Sequence, residues 1–160
     1  GGRSLLDIPC GDFHWMSHVD LSGVDRYIGA DIVPDLIDEL RNSFGDDRRQ
    51  FVRLDLCQDT LPHVDVILCR DVFLHLSNRY ISDGLANVIK ARPSYFLASN
   101  YPDTTRNVDV QTGMARPVNL CLPPFGLPLP EKVIDDPGVH ADRRVLGLWS
   151  LEQLEHLKLA

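Results

Sequence analysis

Short apolar segments and helical repeats alternate along the first hundred residues of the chain. The apolar segments predict strands at residues 4–10, 27–31, 51–55, 64–69 and 94–99. Between them, apolar positions recur at the helical period after Pro34 and again from Ile81 to Ile89, before Pro93. This alternation predicts an α/β fold with a doubly wound, mostly parallel sheet in the strand order 3-2-1-4-5.

The pattern changes after Asn100, because six of the eleven prolines lie between residues 116 and 138. Residues 108–111 predict a short edge strand, and residues 116–125 predict a loop folded over a pocket. Residues 144–149 predict a last edge strand, followed by a terminal helix over 151–159 with Ser150 as its N-cap. We expect residues 1–160 to form a single domain.

The turn after the first strand is the first candidate for chemistry. Gly11 follows the strand directly, and Asp12 is placed to cap a helix over residues 12–19. The second strand ends in Asp31, twenty positions after Gly11, where an acid binds the hydroxyls of a ribose. Pro9 and Phe13 occupy positions where a dinucleotide-binding turn has glycines. A nucleoside cofactor without a pyrophosphate is therefore favoured over a nicotinamide-dependent oxidoreductase, which remains the alternative enzyme.

Four motifs in order, at residues 6–11, 29–31, 54–55 and 65–71, make the chain similar to class I S-adenosylmethionine-dependent methyltransferases. The form Pro-Cys-Gly-Asp-Phe of the first motif resembles one branch of methyltransferase-domain proteins. The resemblance implies a Rossmann-like fold, S-adenosylmethionine as cofactor, and methyl transfer to a small-molecule or peripheral acceptor. Members of this class usually carry a helical lid before the first strand, and we expect this chain to lack one.

The resemblance also implies a set of cofactor-binding residues. They are Asp7, Pro9, Cys10 and Gly11 around the turn, Asp31 and Ile32 at the ribose, Asp55 and Leu56 at the adenine, and Arg70 after the fourth strand.

The segment after the fourth strand is where this class places contacts to the methyl acceptor. Asp71 and His75 lie four residues apart, so one helical turn would bring a carboxylate to an imidazole and make a general base. In-line positioning of the acceptor is the alternative source of rate. Tyr101, Arg116 and Asn119 are candidate residues for binding the acceptor substrate.

Composition limits the remaining partners. A net charge of −7 disfavours nucleic acid, and the adjacent pairs Arg48-Arg49 and Arg143-Arg144 are expected to be solvated. No apolar run reaches the roughly 20 residues of a membrane span, so a cytoplasmic protein is expected. The four cysteines lack CxxC spacing, and His14 and His18 lack a third ligand, so no metal site is expected. The oligomeric state stays open, and a non-catalytic binding module of the same fold is a second alternative.

Overall fold

The computed structural model describes residues 3–137 and 143–157, and its centre is a seven-stranded sheet. The strands are β1 (Ser4–Asp7), β2 (Arg26–Asp31), β3 (Arg49–Arg53), β4 (Val66–Cys69), β5 (Tyr95–Asn100), β6 (Lys132–Asp135) and β7 (Val145–Ser150). They lie in the order β3-β2-β1-β4-β5-β7-β6. The pairs among β1 to β5 are parallel, while β7 is antiparallel to both β5 and β6. The predicted α/β fold and strand order are confirmed. The predicted last strand forms as β7, but it lies between β5 and β6 and not at the sheet edge.

Three α-helices accompany the strands in the described part of the chain: α1 (Pro34–Phe44), α2 (Asn78–Ala91) and α3 (Leu151–Glu155). Pro34 occupies the first turn of α1, where its missing N–H costs nothing. The hydroxyl of Ser77 accepts from Tyr80 N and caps α2. Ser150 and Gln153 form a capping box at α3. Residues 158–160, which include the predicted end of this last helix, lie outside the described residues. None of the described helices is long and apolar enough to cross a membrane.

The sheet is covered on both faces, as the apolar β4 predicts. One face carries a cluster with α2 that includes Leu6, Ile67, Leu85 and Trp149. The other face carries Cys10, Phe13, Ile37 and Phe51 with α1. Because apolar layers fill both faces, polar groups reach solvent mainly at the strand ends.

The helix predicted over residues 12–19 is wrong. Phe13 has a φ of 60°, and only a short 3-10 helix (Met16–His18) follows it. This conformation places the Phe13 ring against Phe44 and Phe51, at centroid distances of 5.1 and 5.2 Å. Asp12 therefore caps no helix; its Oδ1 accepts from His14 N at 3.0 Å in a local turn.

Two expectations for the proline-rich part are also wrong. Residues 108–111 form no strand, and the sheet edge is β6 instead. Within the segment expected to cover a pocket, Val118, Leu120 and Phe125 are buried in the main core cluster. Proline interrupts this segment without exposing it, because its apolar side chains fill the core.

Candidate functional site

A crevice runs along the carboxyl edge of β1, β2, β3 and β4. It consists of two adjoining cavities of about 480 and 240 Å³, and residues Pro9, Asp31 and Asp71 line both. Parallel pairing of β1 with β2 and with β4 brings the chain after all three strands to this edge. The edge of an open α/β sheet at a topological switch point is the usual location of a ligand site.

The larger cavity is lined mostly by apolar side chains, together with the acids Asp31, Asp55 and Asp71. Its lining residues include Ile32, Val33, Leu54, Asp55, Leu56, Val72, His75 and Leu76. Asp31 Oδ1 accepts from Val33 N at 3.1 Å, which fixes the carboxylate at the end of β2. Asp55 accepts from Cys57 N at 2.8 Å and from Gln58 Nε2 at 2.7 Å. Each carboxylate oxygen keeps a second lone pair, so both acids retain acceptor capacity toward the cavity.

The smaller cavity holds the first-strand acid. Asp7, which is 4% exposed, lines it and accepts from the Tyr27 hydroxyl at 2.7 Å. Burial raises the pKa of Asp7 to about 7, although the Tyr27 hydrogen bond and the Arg70 charge oppose this rise. The carboxyl therefore changes its charge near neutral pH.

The turn between Asp7 and Phe13 supplies backbone groups to the smaller cavity. Cys10 N donates to Ala30 O at 2.8 Å, which ties the turn to β2. Gly11 has a φ of 52°, a conformation that a side chain would strain. Within the described residues, the N–H groups of Gly11 and Asp12 donate to no other protein group, and both residues line this cavity.

Four charged residues form an ion network beside the smaller cavity. Arg70 binds Asp136 through Nε and Nη2, each at 3.0 Å. Arg144 binds Asp71 at 2.5 Å and Asp136 at 3.1 Å. The Arg144 side chain is 11% exposed, so the expectation that both residues of the pair Arg143-Arg144 are solvated is wrong for Arg144.

Trp15 and Arg70 form one wall of the smaller cavity. The Arg70 guanidinium carbon lies 4.7 Å from the Trp15 ring centroid, in a cation–π contact. Trp15 is nevertheless 42% exposed, so only part of its ring is packed against the protein.

Asp71 and His75 line the larger cavity but form no hydrogen bond or ion pair with each other. Asp71 has a φ of 56° and directs its carboxylate to Arg144 and Ser99. His75 lies in a second 3-10 helix (Phe73–His75), where its ring is exposed. The predicted carboxylate–imidazole pair is therefore wrong, because no α-helix follows Asp71 directly.

The three candidate acceptor-binding residues lie outside the lining of both cavities. Tyr101 is buried. The Arg116 guanidinium donates to the carbonyls of Phe73, Leu74 and Val108 and to the side chain of Asn78. The side chain of Asn119 donates to Pro102 O and Thr104 O and accepts from Cys121 N. The polar atoms of Arg116 and Asn119 thus hold the proline-rich loops in place.

All the predicted cofactor-binding residues line the crevice, but the sequence did not indicate several of their neighbours. In the sequence, Tyr27 resembles an ordinary strand residue, and Arg144 resembles one half of an exposed basic pair. One signal was available for Arg144. It directly precedes a strand that runs antiparallel to its neighbour, so it lies beside the carboxyl ends of the parallel strands.

No protein-family model matches the chain, and no curated protein matches it. Among solved structures, the chain is similar to the N-methyltransferase NodS from Bradyrhizobium japonicum WM9. The TM-score is 0.67 at 15% identity, over 94% of this chain and 86% of that one. A TehB-like SAM-dependent methyltransferase from Corynebacterium glutamicum ATCC 13032 Kitasato gives 0.63 at 19% identity, over 93% and 80% of the chains.

Human N-acetylserotonin methyltransferase, solved in complex with SAM, gives 0.63 at 13% identity over 91% of this chain. The chain spans 47% of that protein, about half of its length. At these identities the similarity concerns the fold. The chain has the mixed α/β, Rossmann-like fold of SAM-dependent methyltransferases.

Proposed function

We propose that the chain binds S-adenosylmethionine in the crevice and transfers its methyl group to a small-molecule or peripheral acceptor. The observation that carries this proposal is the joining of an apolar cavity to an acid-lined one at Asp31. A nucleoside fits the first cavity and a charged amino-acid group fits the second. Proteins of similar structure support the same cofactor, since human N-acetylserotonin methyltransferase was solved with SAM and PigF with SAH.

In this proposal, different residues bind the ribose, the adenine and the methionine part of the cofactor. Asp31 accepts from the ribose hydroxyls, and Ile32, Leu56 and Val72 enclose the adenine. Asp55 accepts from the adenine amino group. Asp7 and the free N–H groups of the Gly11 turn receive the ammonium and carboxylate of the methionine part. Pro9 lines both cavities. A pyrophosphate must approach the backbone of this turn closely, and the proline ring at position 9 hinders that approach.

Methyl transfer from S-adenosylmethionine needs little general acid or general base catalysis. S-adenosylmethionine supplies a methyl group on a positively charged sulfur, so an acceptor lone pair forms the new bond as the sulfur recovers the old bonding pair. We propose that the crevice contributes by aligning the acceptor and excluding water. The ion network holds Arg70 and Asp71 in this wall, and His75 lines the larger cavity.

Calorimetric titration with S-adenosylhomocysteine tests the cofactor assignment. We expect Asp31→Ala to raise Kd roughly 10- to 150-fold, the effect of removing hydrogen bonds to a charged group. Asp31→Asn removes the charge but keeps an oxygen that accepts from Val33 N. Comparing it with Asp31→Ala therefore separates the effect of the charge from the effect of losing the hydrogen bond to Val33. Asp35→Ala is the matched control, since Asp35 is an exposed acid in the first turn of α1. Wild-type affinity in Asp31→Ala would refute the ribose assignment.

The proposed absence of a general base is tested once an acceptor is known. His75→Ala should then keep turnover within about tenfold of the wild type, whereas loss of a general base costs about 10²–10⁴-fold. Asp71→Asn should leave any pH dependence due to His75 unmoved, because the two side chains form no hydrogen bond or ion pair with each other. A hundredfold loss in His75→Ala would restore the imidazole as a base.

A further inference from the structure

The hydrogen bond between Tyr27 and Asp7 joins two buried side chains from neighbouring strands. Tyr27 is 1% exposed and Asp7 is 4% exposed, and the O···O distance is 2.7 Å. In the parallel register Tyr27 pairs with Leu5, and Asp7 pairs with Gly29. The tyrosine hydroxyl therefore reaches the acid diagonally, across the position of Gly29.

Gly29 makes this reach possible. A Cβ at this position would lie 2.7 Å from Phe51 Cδ1 and 3.1 Å from Tyr27 Cε1, closer than side chains pack. The two rings occupy the space that a larger residue at position 29 would fill, with centroids 6.0 Å apart. The Phe13 ring packs against both of them, at 5.5 and 5.2 Å. The aromatic packing thus fixes the Tyr27 ring in an orientation in which its hydroxyl donates to Asp7.

We propose that Tyr27 is a positioning residue for the cofactor: it binds one carboxylate oxygen of Asp7 and leaves the other to receive the ammonium of the methionine part. This inference rests on the proposed function and adds a residue that does not line the smaller cavity. Its consequence is that Tyr27 also favours the ionised form of Asp7, which is the form that pairs with an ammonium.

Several groups face Asp7 and set its charge. Burial disfavours the carboxylate, and Asp31 at the end of β2 adds to this effect. The Tyr27 hydroxyl and Arg70 oppose it. The remaining neighbours are the thiols of Cys10 and Cys69, which stay protonated because burial raises their pKa values. Tyr27 is an uncharged group that donates a hydrogen bond to Asp7, so Tyr27→Phe changes the charge of Asp7 without itself removing a charge.

The test is the pH dependence of S-adenosylhomocysteine affinity, measured by calorimetry between about pH 6 and 8.5 with wild type and Tyr27→Phe. Wild-type affinity should rise up to about pH 7 and then level off, because the pKa of Asp7 is about 7. Loss of one hydrogen bond to a charged group moves this midpoint upward by about 1–2 pH units. Tyr27→Phe should therefore bind about 5- to 50-fold more weakly at pH 7 but less than about fivefold more weakly at pH 8.5.

Two controls isolate the interaction. Tyr95→Phe removes a hydroxyl from an exposed tyrosine at the other end of the parallel strands and should bind like wild type at every pH. In a protein that already carries Asp7→Asn, adding Tyr27→Phe should change neither the affinity for S-adenosylhomocysteine nor the pH dependence of that affinity. A ¹³C NMR titration of the Asp7 carboxyl in the unliganded protein gives the same midpoints without a ligand.

The outcomes separate the two proposals. A uniform loss of affinity at all pH values in Tyr27→Phe would mean a structural role only, and an unmoved Asp7 midpoint by NMR would contradict the inference directly. Wild type that fails to bind S-adenosylhomocysteine at any pH would overturn the proposed function, and with it the ligand assigned to Asp7.

Discussion

At the scale of single residues, Asp7 shows how the crevice keeps an acid in an apolar environment. Its carboxylate costs stability when ionised, because burial outweighs the Tyr27 hydrogen bond and the Arg70 charge. The folded protein holds the Asp7 proton up to about pH 7, whereas an unfolded chain releases it near 3.8. Asp7 therefore makes the folded state less stable as the pH rises between these two values.

Asp7→Asn should consequently stabilise the unliganded protein at high pH. We expect a gain of up to about 4 kcal/mol in the free energy of unfolding at pH 8, shrinking below about 2 kcal/mol at pH 5. The amide keeps an acceptor for Tyr27, so the packing is retained. Urea unfolding at the two pH values measures the difference. An equal gain at both would show that Asp7 is ionised throughout this range.

At the scale of elements, the ion network fastens the last two strands to the site. Arg144 lies directly before β7 and Asp136 directly after β6, and both reach residues that follow β4. The network balances two positive and two negative charges, whose side chains are at most 33% exposed. Removing one member of such a partly buried network leaves an uncompensated charge, which costs more than breaking a solvated ion pair.

Arg144→Met should destabilise the protein by about 2–4 kcal/mol, because Asp71 and Asp136 then share Arg70 alone. Arg143→Met is a matched control in the neighbouring residue. Its ion pair with Asp135 spans 3.5 Å, with side chains 56% and 80% exposed, so the expected change is below about 0.5 kcal/mol. Urea unfolding of both variants measures the contrast. Equal losses would show that the network contributes nothing beyond a surface pair.

The same scale shows what the sequence predicts and what it does not. Strands β1 to β5 and helices α1 and α2 follow from apolar periodicity, proline and caps, which are local properties. The residues at the carboxyl edge follow from parallel topology, so Asp31 and Asp55 are found in the crevice. The helix predicted after Gly11 does not form, because the conformation of Phe13 depends on its packing against rings from α1 and β3. Arg116 and Asn119 resemble binding residues in sequence, but their partners come from distant loops.

At the scale of the whole molecule, the residues proposed to bind the ligand all lie along one edge of the sheet. A ligand there touches the chain after β1, β2, β3 and β4 at once, so its binding should oppose unfolding of the entire domain. At 100 times Kd, S-adenosylhomocysteine should stabilise the folded state by about 2.7 kcal/mol, which raises Tm by roughly 5–11 °C for a chain of this length. NAD at the same concentration should leave Tm unchanged. A larger shift with NAD would favour the oxidoreductase alternative.

The two tryptophans differ in their surroundings, so the intrinsic fluorescence of the protein should respond to ligand binding. Trp149 is fully buried in the core, whereas Trp15 is partly exposed beside Arg70 at the smaller cavity. Tryptophan emission therefore combines a component from Trp149 with one from Trp15, and we expect a ligand in the smaller cavity to change the Trp15 component alone. Methionine alone should alter this component, while adenosine, which we propose binds in the larger cavity, should leave it nearly unchanged. The fluorescence of the unlabelled protein would thus report which half of a ligand has bound.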